Sequence, residues 1–190
     1  MDRNIVLEDA RVRLEPLTQA NLPALSAIAN DPALWEFTFQ GNPFGTPESA
    51  EAWLRDATQA PDMRAFVIID RESGEVCGST RYLDISDEHR KLEIGWTFLA
   101  RKWWRTHVNS HAKALLFEFA FEKWNAVRVQ LKAEAVNLRS HRAILRLGAT
   151  HEGTLRNFRI RPGTGERRDV AFYSILDTEW PEIKAQLTSG

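Results

Sequence analysis

The chain has 190 residues, 43% apolar and 27% charged, with a net charge of −1. That is ordinary for a soluble globular protein, long enough for a proper core, and too near neutral for nucleic acid to be the main ligand. Its lone cysteine, Cys77, excludes an intrachain disulfide, and neither a signal-peptide h-region nor a membrane-length apolar run is present. A single cytoplasmic domain over residues 1–190 is the expectation.

In chain order, R-V-R-L-E at 11–15 alternates polar and apolar residues, as a half-buried strand does. Asn21 is placed to cap a helix carrying Leu22, Leu25 and Ile28. Residues 31–49 are aromatic-rich and broken by Pro and Gly. Thr46-Pro47 then opens a helix with Trp53 and Leu54 on its apolar side. Strand-like runs at 65–70 and 75–85, joined by R-E-S-G, predict a hairpin, and 91–100 predicts a third strand. A helix over 109–123 has Ala112, Leu115, Leu116, Phe119 and Ala120 on one stripe, followed by a strand at 127–135. Asn137 caps a further helix ending at Leu147-Gly148. Strands near 151–161 and 168–176 flank P-G-T-G-E, and a last short helix carries Trp180, Ile183 and Leu187.

The strand–helix–strand at 91–135 predicts one parallel pair in an otherwise antiparallel sheet. The fold class is therefore mixed α/β (α+β), with a mostly antiparallel central sheet, one βαβ crossover and flanking helices. In such a crossover the first N–H groups of the helix lack intrahelical partners and favour an anion. With Arg101, Lys102 and Arg105 just upstream, residues 105–110 are a candidate phosphate site. A solvated basic turn is the competing reading. His107 and His111 stand four apart, a spacing that suits a metal, but no third ligand is obvious nearby, so no metal is expected.

The element order, with N-L-R-S-H-R-A-I-L-R-L-G-A at 137–149 and E-G-T-L-R at 152–156, resembles the GNAT superfamily of acetyl-CoA-dependent N-acetyltransferases. Within it the chain is most similar to the ribosomal-protein N-acetyltransferase-like (Rim-type) branch, from V-R-L-E-P-L at 12–17 to E-W-P-E-I-K-A-Q-L at 179–187. The resemblance implies acetyl-CoA as co-substrate, with its pyrophosphate on the backbone amides of Arg105, Thr106, His107, Val108, Asn109 and Ser110. The family pattern Q/R-x-x-G-x-G/A falls on the window Trp104–Asn109. His107 and Asn109 replace its glycines, so a His107→Gly change is expected to tighten binding. Main-chain N–H groups, which any residue but proline supplies, remain the ligands.

The same resemblance implies that Phe98, Leu99 and Ala100 lie along the pantetheine arm. It makes Glu93 a general base for the amine, against an ion-pairing strand residue as the bland alternative. The tyrosine that many GNAT enzymes use as general acid falls on Ile144 here. Ser140 is then the candidate partner of the CoA sulfur, and Asn137 orders the cofactor wall as a cap. Trp35, Phe37 and Phe39 form a candidate wall over the acceptor pocket, with packing under a long loop as the alternative. The arginines at 156, 159, 161, 167 and 168 read as an attraction for an acidic substrate tail or as a polar edge.

The implied activity is acetyl transfer to a primary amine, either a protein N-terminus or a small amine. The resemblance implies direct attack within a ternary complex, and Cys77, on an earlier strand with no evident base partner, gives a thiol intermediate little support. A CoA-binding module without turnover and a polyamine- or antibiotic-acetylating enzyme are the alternatives. No nucleic acid or membrane partner is expected, and a homodimer is the default assembly.

Overall fold

The computed structural model describes residues 1–38 and 41–188. Eight strands form one sheet: β1 (Leu7–Glu8), β2 (Val12–Pro16), β3 (Arg64–Asp70), β4 (Val76–Ser86), β5 (Lys91–Leu99), β6 (Arg128–Glu134), β7 (Thr150–Ile160) and β8 (Arg167–Leu176). Their order is β1-β2-β3-β4-β5-β6-β8-β7. Every neighbouring pair is antiparallel except β5–β6. The helices are α1 (Leu22–Ala29), α2 (Pro47–Gln59), α3 (His107–Glu118), α4 (Leu138–Arg146) and α5 (Trp180–Thr188). The mixed α/β class and the one parallel pair, joined by the β5–α3–β6 crossover, are as expected from the sequence.

Alternation decides which face each strand residue serves. In β2, Val12 and Leu14 are fully buried between the more exposed Arg13 and Glu15. In β5, Leu92, Ile94 and Leu99 join the core beneath α3, with Val108, Ala112 and Leu116 of that helix. Phe98 faces the opposite layer, where α1 and α2 bury Leu25, Trp53 and Leu54. Gly78 lets β5 come this close, because a Cβ there would lie 2.0 Å from the Phe98 carbonyl oxygen.

The helix ends follow their chemistry. Thr46 and Ser49 cap α2 reciprocally, behind Pro47. Gly148 (φ +85°) closes α4, and a side chain there would also strike Ile183 at 2.8 Å. Asn21 does not cap α1 as expected. Its Oδ1 instead accepts from the Thr18 N–H (2.8 Å) and hydroxyl (3.0 Å), bracing a 3₁₀ turn over Gln19–Asn21 that leads into the helix. Helix α3 widens into a π turn at Phe119–Lys123, with the Trp124 N–H donating to the Phe119 carbonyl. Asn125, at φ +58°, then takes the left-handed position that ends it.

Candidate active site

The crossover pair is short. Strands β5 and β6 are in register only at Lys91↔Arg128, Leu92↔Val129 and Glu93↔Gln130. Beyond Glu93 each strand runs on without the other, so their facing edges open a cleft of about 920 Å³. A bulge helps to turn β5. Arg81 pairs with Gly95 and Ser79 with Phe98, leaving Thr80 opposite both Trp96 and Thr97. Trp96 carries the associated left-handed backbone (φ +51°) and is 40% exposed. Polar groups along β5 that would pair with a neighbour therefore face the opening, an edge suited to an extended amide-bearing ligand. The Leu99 carbonyl is already engaged, by the Trp104 indole N–H at 2.8 Å, and the Ala100 N–H donates to the Cys77 carbonyl.

Helix α3 begins at the mouth of this cleft. Thr106 is its N-cap, accepting from the Val108 N–H and donating its hydroxyl to the Trp103 carbonyl at 2.9 Å. The helix starts at residue 107, two residues before its expected start, and this resolves the missing glycine. His107 is helical and needs no special backbone freedom. The left-handed residue of the loop is Arg105, at φ +61°. Of the three basic residues upstream, Arg101 forks onto Asp31 at 2.7 and 2.9 Å, and Lys102 pairs with Glu75. Arg105 lines the cleft, as do Asn109 and Lys113 one and two turns along; Arg139, Arg142 and Arg146 of α4 add further positive charge. Free helix N–H groups in a basic cleft form a donor set that fits a pyrophosphate.

The side chains of the two histidines do not face the cleft. Arg11 Nη2 donates to His107 Nδ1 at 3.2 Å, so the other ring nitrogen, Nε2, carries the proton and donates to Asp70 Oδ1 at 3.1 Å. His111 Nδ1 lies 2.6 Å from Asp9 Oδ2. Ser73, through its hydroxyl and N–H, and then His107 hold the buried Asp70 carboxyl below the usual range. The histidines thus tie α3 to the ends of β1 and β3. Val108 is buried in the core, and Ser110 points to solvent. For His107, Val108 and Ser110, only the main chain remains available to a ligand.

Glu93 sits at the apex of the cleft, only 4% exposed, on the face away from α3. Lys132 Nζ (2.6 Å) and Gln130 Nε2 (3.0 Å) both meet its Oε2, and Asp84 lies 3.7 Å from the same ammonium. Two further charged groups stand in the cleft. Glu134, 6% exposed in the cleft wall, pairs with Arg168 at 3.1 Å, while its Oε1 has no donor among the described residues. Lys113 is buried against Thr97 and Thr80. These partners are far apart in sequence and only the sheet register joins them.

The remaining wall comes from α4 and the aromatic segment. Asn137 Oδ1 accepts from the Ser140 N–H at 3.0 Å, and both residues line the cleft. Arg139 stacks over Trp104 at 3.9 Å. Trp35 packs on Phe98 (5.3 Å) and Phe44 on Trp53 (4.8 Å), while Trp35 and Phe37 also face the opening. The segment is therefore both packing and wall. Phe39 lies outside the described residues. Arg161 donates to the Glu36 and Thr38 carbonyls, clasping the β7–β8 hairpin to this segment, and Arg168 is taken by Glu134 and Glu166.

A mixed sheet split beside a capped helix, with basic residues at its mouth and a buried carboxylate at its apex, is a cleft suited to a phosphate-bearing ligand. Comparison with known proteins gives the family. Residues 11–150 match the acetyltransferase (GNAT) domain. The chain is 28% identical over 173 residues to the protein named "Putative ribosomal N-acetyltransferase YdaF" of Bacillus subtilis strain 168, covering 88% of this chain and 90% of that one. Among solved structures, a "putative acetyltransferase" from T. thermophilus is 39% identical with a TM-score of 0.87, covering 97% of this chain and 95% of that one. A GCN5-related N-acetyltransferase from Brucella melitensis is 28% identical with a TM-score of 0.91, covering 99% and 86%. The chain belongs to the GNAT acetyltransferase family and is an acyl-CoA N-acyltransferase.

Proposed function

We propose that the chain transfers acetyl from acetyl-CoA to a primary amine by direct attack in a ternary complex, and that the acceptor is a protein N-terminus. The observation that carries the reading is the split between β5 and β6, with the α3 amides at its mouth and Glu93 at its apex. The phosphates of acetyl-CoA lie on the amides of 105–110 beside Arg105, the pantetheine arm follows Phe98 and Leu99, and Asn137 and Ser140 line the facing wall. Lys132 and Gln130 fix Glu93 through Oε2, which directs Oε1 to the acceptor nitrogen, directly or through water. Glu93 takes the amine proton as the N–C bond forms, the C–S bond breaks, and the departing thiolate is protonated. Ser140 stands as a hydrogen-bond partner for the sulfur.

The similarity to a relative named for ribosomal N-acetylation supports a protein acceptor over a small amine. No helix among the described residues is long and apolar enough to cross a membrane. Steady-state thiol release with a panel of N-terminal peptides and polyamines tests the reading. Glu93→Gln is expected to lower kcat by about 10²–10⁴-fold, the usual weight of general base catalysis, with acetyl-CoA affinity retained. Full activity in that variant would remove Glu93 from the role. Cofactor binding with no turnover of any amine by the unmodified protein would leave a CoA-binding module.

A further inference from the structure

Lys113 is an ammonium in an unusual place. It is 6% exposed, yet no carboxylate lies within ion-pair distance of it among the described residues. Its Nζ is held by two hydroxyls, Thr97 Oγ1 at 2.6 Å and Thr80 Oγ1 at 3.3 Å, which themselves lie 2.8 Å apart. Thr97 belongs to the bulge of β5, and Thr80 is the single residue opposite that bulge. Lys113 and Thr97 both line the cleft. A buried charge without a counter-charge is costly, and a methionine of similar length would cost less. Sites that retain such a group are candidates for function rather than packing.

The ionisable groups on the surrounding elements do not neutralise it. Tyr82 of β4 gives its hydroxyl to the Leu116 carbonyl. Arg81 of β4 and Glu93 of β5 alternate onto the other face of the sheet. From the loop, Arg105 adds positive charge. Asp9 and Asp70 are engaged by the histidines on the far side of α3, and Glu118 and Glu122 pair with Lys184 of α5. Burial pushes the Lys113 ammonium down to about 7. A thiol of the cysteine kind has a reference pKa of about 8.5, so proton transfer from such an ammonium to a thiolate runs downhill.

We propose that Lys113 is the proton donor for the leaving thiolate of CoA, directly or through the Thr97 hydroxyl. The inference rests on the acetyl-transfer reading above. As the C–S bond breaks, the electron pair stays on sulfur and the Lys113 proton passes to it. Lys113 is left neutral and takes a proton back from solvent before the next turnover, while Glu93 releases the proton taken from the amine. The position Ile144 cannot serve in this role, being an apolar residue buried in the core.

The test compares the unmodified protein with Lys113→Met and Lys113→Arg by thiol release across pH 5.5 to 9, roughly the span on either side of the ammonium's pKa. Melting curves, acetyl-CoA affinity and peptide mass spectrometry are measured in parallel. The donor must be charged, so kcat in the unmodified protein falls as pH rises through about 7. Lys113→Met is expected to lose about 10²-fold or more in kcat with acetyl-CoA affinity within about twofold. Lys113→Arg, which stays charged, keeps a measurable rate and loses the alkaline fall. A merely structural lysine would move the melting point and leave the pH profile of kcat unchanged, which overturns the proposal. Acetyl found on Lys113 itself would also overturn it, making the residue a nucleophile. An unmodified protein that turns over no amine overturns the underlying reading as well, so the two failures are distinct.

Discussion

The first two turns of α3 carry two faces with opposite duties. Asn109 and Lys113 face the cleft, while His107 and His111, offset by two positions and with the same four-residue spacing, face Asp70 and Asp9. Spacing alone presents the histidines as the reactive pair. The sheet reverses this. The aspartates turn the histidines into an anchor, and Lys113, two positions beyond His111, is the residue buried beside the bulge. An i, i+4 pair on a helix specifies that two residues share a face, and only the packing says what that face meets.

The largest expected effect lies at the anchor. Asp70→Ala leaves the His107 ring without its acceptor and Ser73 without its partner, in a position only 3% exposed. We expect a loss of about 1–3 kcal/mol in stability from the urea midpoint, with acetyl-CoA affinity changed by less than about twofold. Equal damage to binding would mean that the histidine face is part of the cofactor site.

Acid unfolding probes the same face more gently. The folded Asp70 carboxyl titrates below its ordinary range, through Ser73 and then His107. Its contribution is therefore complete above the unfolded carboxylate pKa of about 3.9. It is lost as pH falls through the lower folded value. Asp70→Asn should flatten the acid limb of stability measured by denaturant titration below about pH 4. An acid limb unchanged in slope would deny the depressed carboxyl.

The smallest expected effect concerns glycine. Arg105→Gly relieves a left-handed side-chain-bearing residue and should raise stability by about 1 kcal/mol, while acetyl-CoA binds more weakly for want of the cation. His107→Gly does the reverse of what the family pattern suggests. It places glycine inside a helix, at a cost of about 1 kcal/mol, and removes the Asp70 contact without tightening binding. Tighter binding in His107→Gly would return the strained position to residue 107.

Much of the fold was legible in the sequence because its signals are local. Thr46-Pro47, Asn137 and Gly148 announce helix ends by chemistry that involves neighbours a few residues away, and the crossover follows from the order of strand and helix patterns. The two-residue β1 is too short for alternation to register, and the 3₁₀ and π turns carry no period of their own. Phe98, Leu99, Asn109, Asn137, Ser140 and Glu93 all reach the cleft from the elements expected. What stayed hidden was long-range. Asp9 and Asp70 lie 102 and 37 residues from their histidines, and Glu134 lies 34 from Arg168. Nothing in an arginine announces a left-handed backbone, and the helix pattern that holds Lys113 does not say that its ammonium is buried.

The central claim is that acetyl-CoA occupies the split between β5 and β6 on the Asn109 side of α3. Calorimetric titration of acetyl-CoA into the unmodified protein, Asn109→Trp and His111→Ala tests it directly. The account predicts one-to-one binding by the unmodified protein, near-equal affinity in His111→Ala, and loss of about 10²-fold or more in Asn109→Trp, roughly 2.7 kcal/mol, where a large side chain fills the mouth of the cleft. Undiminished affinity in Asn109→Trp, with binding lost in His111→Ala, would contradict it.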